Sequence, residues 1–346
     1  MLNRIKRVTR KDVALRAGVS TTTISYVIND GPRPVAPETR VRVLRAIEEL
    51  GYYPNELARS LRMRQTSTIG LVIPDLTNPF YADLARALEK ITFSRGYVIV
   101  VCNANREADK ELRFAELLRA KQVDGVVFLP DSDSTDAIFT LIRAHIPVVV
   151  LERQDIAGLH WVAIDDFQGG RIATEHLLGL GHRRIAFLRQ CTSHTTSRRR
   201  LEGYTAALQA AGIAVDPALI ADCEATPASG AAAMSGLLAS FPELTAVLAH
   251  NDVIALGALH AIHQAGLSIP GDVSIIGYDN IEAAAFYYPP LTTVRYPGEA
   301  VARLAAEQLF AMLEAQSAQL TRGANTIELV PVDLVLRQST GPARAS

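Results

Sequence analysis

The sequence predicts an α/β protein: a small helical head with a helix-turn-helix and a hinge helix, then a two-lobed core of doubly wound parallel sheets. Three observations predict it. Residues 9–29 spell two short helices around a glycine turn. From Thr68 onward, short and uniformly apolar strands alternate with helices in two successive sets. Charge divides at the same boundary: residues 1–66 hold thirteen Lys and Arg against six Asp and Glu, net +7, while the remainder holds 22 against 30, net −8.

The head is legible residue by residue. Thr9 is placed to cap a first helix, with Asp12 three residues on completing a variant capping box. Val13, Ala14 and Ala17 give that helix an apolar face, and Gly18 stands where the chain must turn through positive φ. Ser20 caps a second helix that turns Ile24, Val27 and Ile28 inward and leaves Thr21, Thr22, Ser25 and Tyr26 outward. This is the pattern of a helix-turn-helix, whose second helix enters the major groove of DNA, with an ordinary helical hairpin carrying small polar residues on its wet face as the competing reading. Pro37-Glu38 opens a third helix with Val41, Leu44, Ile47 and Leu50 as its expected packing face, and Gly51 ends it. Asn55 then caps a short helix carrying Ala58, Arg59, Ser60 and Arg62, small and basic residues unusual in a plain linker. A basic head suits phosphate contacts, which dominate non-specific DNA affinity.

The core begins with the strand Ile69-Gly-Leu-Val-Ile73. A helix over 80–95 follows, then the strand Val98-Ile-Val-Val-Cys102, a helix over 110–121, the strand at 125–129, a helix to Ala144 and the strand Val148-Val-Val-Leu151. A second set starts with a helix over 169–180, and its strands lie at 185–188, 246–249 and 273–277. Apolar strands alternating with helices indicate parallel sheets covered on both faces. Ligands of such sheets bind outside the strand carboxyl ends, and a cleft between two lobes is a natural site.

Several classes are disfavoured. No apolar run is long enough to span a membrane, and no secretory signal is visible. Cys102, Cys191 and Cys223 are scattered and show no metal spacing, so they read as reduced packing thiols of a cytoplasmic protein. No phosphate-binding glycine loop, nucleophile elbow or His-x-x-x-His pair occurs, so neither an enzyme nor a cofactor is expected.

Residues 8–62 closely resemble the head and hinge of the lactose/galactose-repressor (LacI/GalR) family of bacterial transcription regulators. The matching pieces are Val13-Ala-x-x-Ala-Gly-Val-Ser20, Thr23-Ile-Ser25, Val27-Ile-Asn29, Thr39-Arg40-x-Arg-Val and Gly51-Tyr-x-Pro-Asn55 with Ala58-x-x-Leu61. The resemblance implies that paired hinge helices lie in the minor groove, with Leu61 wedged between base pairs and Ala58 near the groove floor. A dimer or linker contact is the plainer role for Leu61. The expected DNA contacts are Thr9, Ser20, Thr21, Thr22, Thr23, Ser25, Tyr26, Asn29, Arg33, Asn55, Ala58, Arg59 and Leu61. Two positions depart from the pattern. Tyr26 stands where Arg is frequent and cannot grip guanine with two hydrogen bonds, so the operator is not to be copied from a relative. Ala36 stands where Ser usually caps the third helix.

The resemblance extends over the core through Ile73-Pro-Asp-x-x-Asn78-Pro-Phe-Tyr81, Ile164-Asp-Asp166, Gly181-His-Arg-Arg-Ile185, Arg200-x-x-Gly-Tyr204, Asn251-Asp252-x-x-Ala-x-Gly257, Gly277-Tyr-Asp279 and Pro290-Leu-Thr-Thr293. It implies a fold similar to periplasmic sugar-binding proteins, with three crossings between lobes near Ala163, Thr293 and Asn325. The expected divisions are a DNA-binding domain over 1–53 and a hinge over 54–66. The first lobe would hold 67–163 with 294–324, the second 164–293 with 325–340. Phe80, Glu152, Arg153, Asp165, Arg200, Asp252, Asp279 and Tyr296 are the expected effector contacts. Asp252 is the foremost of them, with helix capping as its competing role. Acid, amide and guanidinium groups around an aromatic platform suit a sugar or sugar derivative. A nucleobase is the rival, since relatives bind purines on the same scaffold. The expected whole is a homodimeric, ligand-controlled repressor of a carbohydrate-utilisation operon, binding double-stranded operator DNA. A soluble sugar receptor would leave the basic head unexplained.

Overall fold

The computed structural model describes residues 8–28, 33–53, 65–131, 134–151, 159–191, 195–317 and 327–344, and divides into a head up to Thr66 and a core from Ser67. The head is built from α1 (Arg10–Ala17), α2 (Thr21–Ile28) and α3 (Pro37–Leu50). Thr9 and Asp12 form the reciprocal capping box: Asp12 Oδ2 accepts from the Thr9 amide at 2.8 Å, and Thr9 Oγ1 accepts from the Asp12 amide at 3.4 Å. Gly18 takes φ +65°, and Ser20 Oγ accepts from the Thr23 amide at 3.1 Å to start α2. Val13, Ala14, Ala17, Ile24, Val27, Val43, Ala46 and Tyr52 are the buried apolar centre of the head.

The face of α3 differs from the expected one. Val43 and Ala46 are buried, Ile47 and Leu50 pack at the edge, and Val41 and Leu44 are 64% and 48% exposed. Steps of three residues drift backward by about 60° each on a 3.6-residue helix, so 41, 44, 47 and 50 cannot share one face. The set 43, 46, 47 and 50 keeps the i, i+3, i+4, i+7 stripe. An ion pair from Arg16 to Glu49 ties α1 to α3 on the surface. Ala36 makes no side-chain cap on α3. Ala36→Ser is therefore expected to stabilise α3 by about 1 kcal/mol, read in the full chain as slower amide exchange in its first turn; unchanged exchange would show that the cap adds nothing.

In the core, the first sheet runs β11-β5-β4-β3-β1-β2, from β1 (Thr68–Ile73), β2 (Val98–Asn103), β3 (Gly125–Phe128), β4 (Val148–Val150), β5 (His160–Ile164) and β11 (Ile327–Val330). The second runs β12-β10-β9-β8-β6-β7, from β6 (Ile185–Gln190), β7 (Ile220–Cys223), β8 (Ala246–Ala249), β9 (Ser274–Asp279), β10 (Thr292–Arg295) and β12 (Asp333–Val335). Among the described residues every pairing is parallel except that of β10 with β12. The helices are α4 (Pro79–Ser94), α5 (Ala108–Ala120), α6 (Asp136–Arg143), α7 (Asp166–Gly179), α8 (Thr195–Ala210), α9 (Pro227–Ser240), α10 (Asp252–Gln264) and α11 (Gly298–Ser317).

The chain leaves the first sheet after β5 and returns through α11, which packs on α4, β3, β4 and β5. The last crossing lies between β11 and β12, at residues 331–332, and not near Asn325. Ile327–Val330 pairs with Trp161–Ile164 in the first sheet, so the segment expected in the second lobe begins only after Val330. The polar C-terminal segment is anchored: the fully buried Ser339 accepts from the Thr292 amide at 2.8 Å and donates to the Ile275 carbonyl at 2.6 Å.

Candidate functional site

The head presents its candidate DNA surface on α2. Thr21 and Thr22 are exposed there, and Ser25 and Tyr26 are half-buried. Three of the expected contacts have a structural duty first. Ser20 Oγ and Thr23 Oγ1 lie 2.9 Å apart within the α2 cap, and Thr9 Oγ1 donates to Asp12 Oδ2 at 2.6 Å. Arg33 is exposed. Asn29, Asn55, Ala58, Arg59 and Leu61 lie outside the described residues.

In the core, a cleft opens at the carboxyl ends of strands from both sheets. Phe80 and Tyr81 at the start of α4 and Tyr296 at the return crossing supply aromatic walls. Phe80 stands edge-on to both tyrosines, with ring centroids 4.9 and 4.6 Å apart. Asn78 caps α4 by accepting from the Phe80 amide at 3.0 Å, which aims the pair at the cleft.

Arg200 is the polar centre. Its Nε donates to Asp166 Oδ1 at 2.8 Å, its Nη1 donates to the His250 carbonyl at 2.6 Å, and its guanidinium lies 3.4 Å from the Tyr278 ring centroid. Burial alone would lower the Arg200 pKa; Asp166 leads the neighbours that outweigh it and leave it raised. The pair is possible because α7 and α8 touch backbone to backbone. A Cβ added at Gly170 would collide with the Arg200 carbonyl, and one at Gly203 with the Phe167 carbonyl. Asp279 ends β9 beside this group and is pushed up to about 7 by burial, against the pull of Arg200 and with the help of Asp166.

On the first-lobe side, Asp131 follows β3. Its amide donates to Glu111 Oε1 at 2.7 Å, and its carboxylate accepts from Arg106 Nη1 at 3.2 Å. Arg106 stands on a left-handed backbone at φ +60°, also facing Asp75 at 3.6 Å.

Of the expected effector contacts, the structure brings Phe80, Arg200, Asp279 and Tyr296 together around the cleft. Glu152 and Arg153 lie outside the described residues. Two expectations are corrected. Asp165 caps α7 through the Gln168 amide at 3.0 Å, and its neighbour Asp166 lines the cleft instead. Asp252 is fully buried behind the cleft, accepting from the Ile281 amide at 2.9 Å and from Thr293 Oγ1 at 2.6 Å. The preceding Asn251 caps α10 and, with His250, reaches the cleft wall. Tyr81, Asp131, Gln190, Asn251 and Thr196 were missed as lining residues. The strand-end rule marks Asp131 and Gln190, each just past or at the end of a strand.

Comparison with known proteins accounts for both parts. The profile "Bacterial regulatory proteins, lacI family" matches residues 9–55, and "Periplasmic binding proteins and sugar binding domain of LacI family" matches residues 66–330. A relative from Pasteurella multocida named "HTH-type transcriptional repressor PurR" is 37% identical over 333 residues, 96% of this chain and 98% of that one. The lac repressor dimer bound to operator and an anti-inducer is 29% identical with a TM-score of 0.86, covering 97% of this chain and 100% of that one. A LacI family regulator from Enterococcus faecium with bound ribose is 34% identical with a TM-score of 0.71, covering 80% of this chain and 100% of that one. The basic helix-turn-helix head and the two-sheet core are those of a DNA-binding repressor, and no helix among the described residues is long and apolar enough to cross a membrane. The chain belongs to the LacI family of bacterial transcriptional regulators.

Proposed function

We propose that this repressor works as a homodimer on a pseudo-palindromic operator and takes a nucleobase, foremost a purine, as its effector. The observation that carries the effector class is likeness over nearly the whole chain to repressors named PurR, a name that points to purines. The cleft suits a flat ligand with polar edges. Aromatic walls at Phe80, Tyr81 and Tyr296 meet its faces, and Asp279, Gln190 and Asn251 offer carboxyl and amide groups to its edge. The carbohydrate effector expected from the sequence becomes the second reading. It keeps specific support from the ribose-bound Enterococcus faecium regulator.

Control is a linkage. The effector closes the two lobes, the change reaches the dimer contact made by the first lobe, and the paired hinge helices either meet on the minor groove or do not. Effector and operator affinities are then coupled reciprocally. Leu61 is the proposed wedge in this arrangement. Leu61→Ala is expected to weaken specific operator binding by about tenfold or more while leaving effector affinity unchanged; an operator affinity equal to the parent's would remove the wedge.

The test starts by selecting the operator from random duplexes with the full chain, then measuring its affinity with and without guanine, hypoxanthine and ribose. Melting shifts with the same compounds follow binding to the folded state. An inverted repeat whose affinity changes with a purine supports the proposal. A response to ribose alone transfers the site to sugars, and enrichment of no sequence would overturn the operator reading.

A further inference from the structure

Two consecutive residues with left-handed backbone, Asp279 at φ +103° and Asn280 at φ +56°, close β9 at the cleft. Neither is glycine, so the turn is strained and persists only where its neighbours over-determine it. Three side chains from distant parts of the chain converge on it. Asp252, at the start of α10, accepts the Ile281 amide at 2.9 Å through Oδ2. Thr293 of β10 donates to Asp252 Oδ1 at 2.6 Å and accepts from the Asn280 amide at 3.3 Å through the same oxygen. Arg337 of the C-terminal segment donates to Asn280 Oδ1 at 2.6 Å and to the Leu291 carbonyl at 2.7 Å. Gly277 is part of the fit, since a Cβ there would collide with Asp252 Oδ1.

We propose that Asp252, Thr293 and Arg337 are positioning residues for the effector site: none lines the cleft, and together they hold the Asp279–Asn280 turn so that the Asp279 carboxyl meets the ligand. This rests on the reading of the cleft as the effector site. Asp252 thus serves that site through Asp279 rather than by contact. The C-terminal segment, reached only after the last crossing between lobes, becomes a determinant of effector affinity.

The test uses the full chain with Thr293→Val, Thr293→Ser and Arg337→Met. The two Thr293 variants leave Asp166, Arg200, Asp252 and Arg337, the charged groups that face Asp279 or its turn, in place, whereas Arg337→Met removes one of them. Amide exchange at 280–281 and calorimetric affinity for guanine and ribose are measured in each. Thr293→Val and Arg337→Met are expected to speed the exchange and weaken whichever probe the parent binds by about tenfold, the scale of one lost charge-assisted hydrogen bond. Thr293→Ser keeps the hydroxyl and restores both. Parent-like affinity in the Val variant, or parent-like exchange, would overturn the proposal. If neither probe binds the parent, and hypoxanthine does not either, the effector reading falls. The brace is then judged on the titration midpoint of Asp279, followed by carboxyl 13C resonances and assigned with Asp279→Asn. A midpoint moved in Thr293→Val and returned in Thr293→Ser supports the brace, and an unmoved midpoint sinks it.

Discussion

Arg200→Met is expected to unfold with about 3–5 kcal/mol less stability in the core transition, the cost of removing one partner of a buried ion pair. Asp166 is 8% exposed and loses its guanidinium, the His250 carbonyl loses its donor, and the Tyr278 ring loses the cation over its face. Methionine keeps the apolar stem and much of the volume, so the loss reports the charge and its hydrogen bonds rather than a cavity. The companion Asp166→Leu in the same chain should return part of the loss, because two apolar residues no longer leave a charge stranded. Urea unfolding of the parent, both single variants and the double variant closes this cycle. A loss below about 1 kcal/mol for Arg200→Met would mean that the pair is solvated and not the polar centre of the cleft.

The second large effect is in pH. The Asp279 carboxyl is pushed up to about 7 in the fold, whereas an unfolded aspartate titrates near 3.8. Between these values the folded chain holds a proton that the unfolded chain has released. Stability from this group is therefore fully present below about pH 3.8 and is lost as pH rises toward 7. Three pH units of such linkage amount to at most about 4 kcal/mol. Asp279→Asn removes the slope, since the amide does not titrate, and leaves a flatter profile over pH 4.5 to 7.5. Urea midpoints across that range decide it: a variant whose profile parallels the parent's would show that Asp279 is ionised throughout.

The head was legible because its signals are local. A capping threonine, a positive-φ glycine and a capping serine each act within four residues, and Thr9, Gly18 and Ser20 stand as their spacing requires. The face of α3 was misread because spacing by threes looks helical in a string but walks around the cylinder. In the core, seven apolar strands announced themselves, whereas β5, β7 and β10–β12 did not. All but β5 carry a charged residue, and all five are held by their sheet partners.

The cleft divides along the same line. Phe80, Arg200 and Asp279 were found from the family's motifs and Tyr296 was named beside them, but the difference between Asp165 and Asp166, or Asp252 and Asn251, is one residue of rotation at the start of a helix. Motif spacing does not resolve that rotation; helix packing does. Gly170 and Gly203 set how closely α7 meets α8, and so which carboxylate faces Arg200. Sequence alone established the helix-turn-helix head and the paired α/β lobes, which follow from near-neighbour propensity and periodicity, and the charge division, which follows from composition. The folded chain assigned the roles of the acids, because burial, pKa and hydrogen-bond partners come from residues distant in sequence, such as Asp252 and Thr293, and Arg337, which joins them only after the last crossing between the lobes.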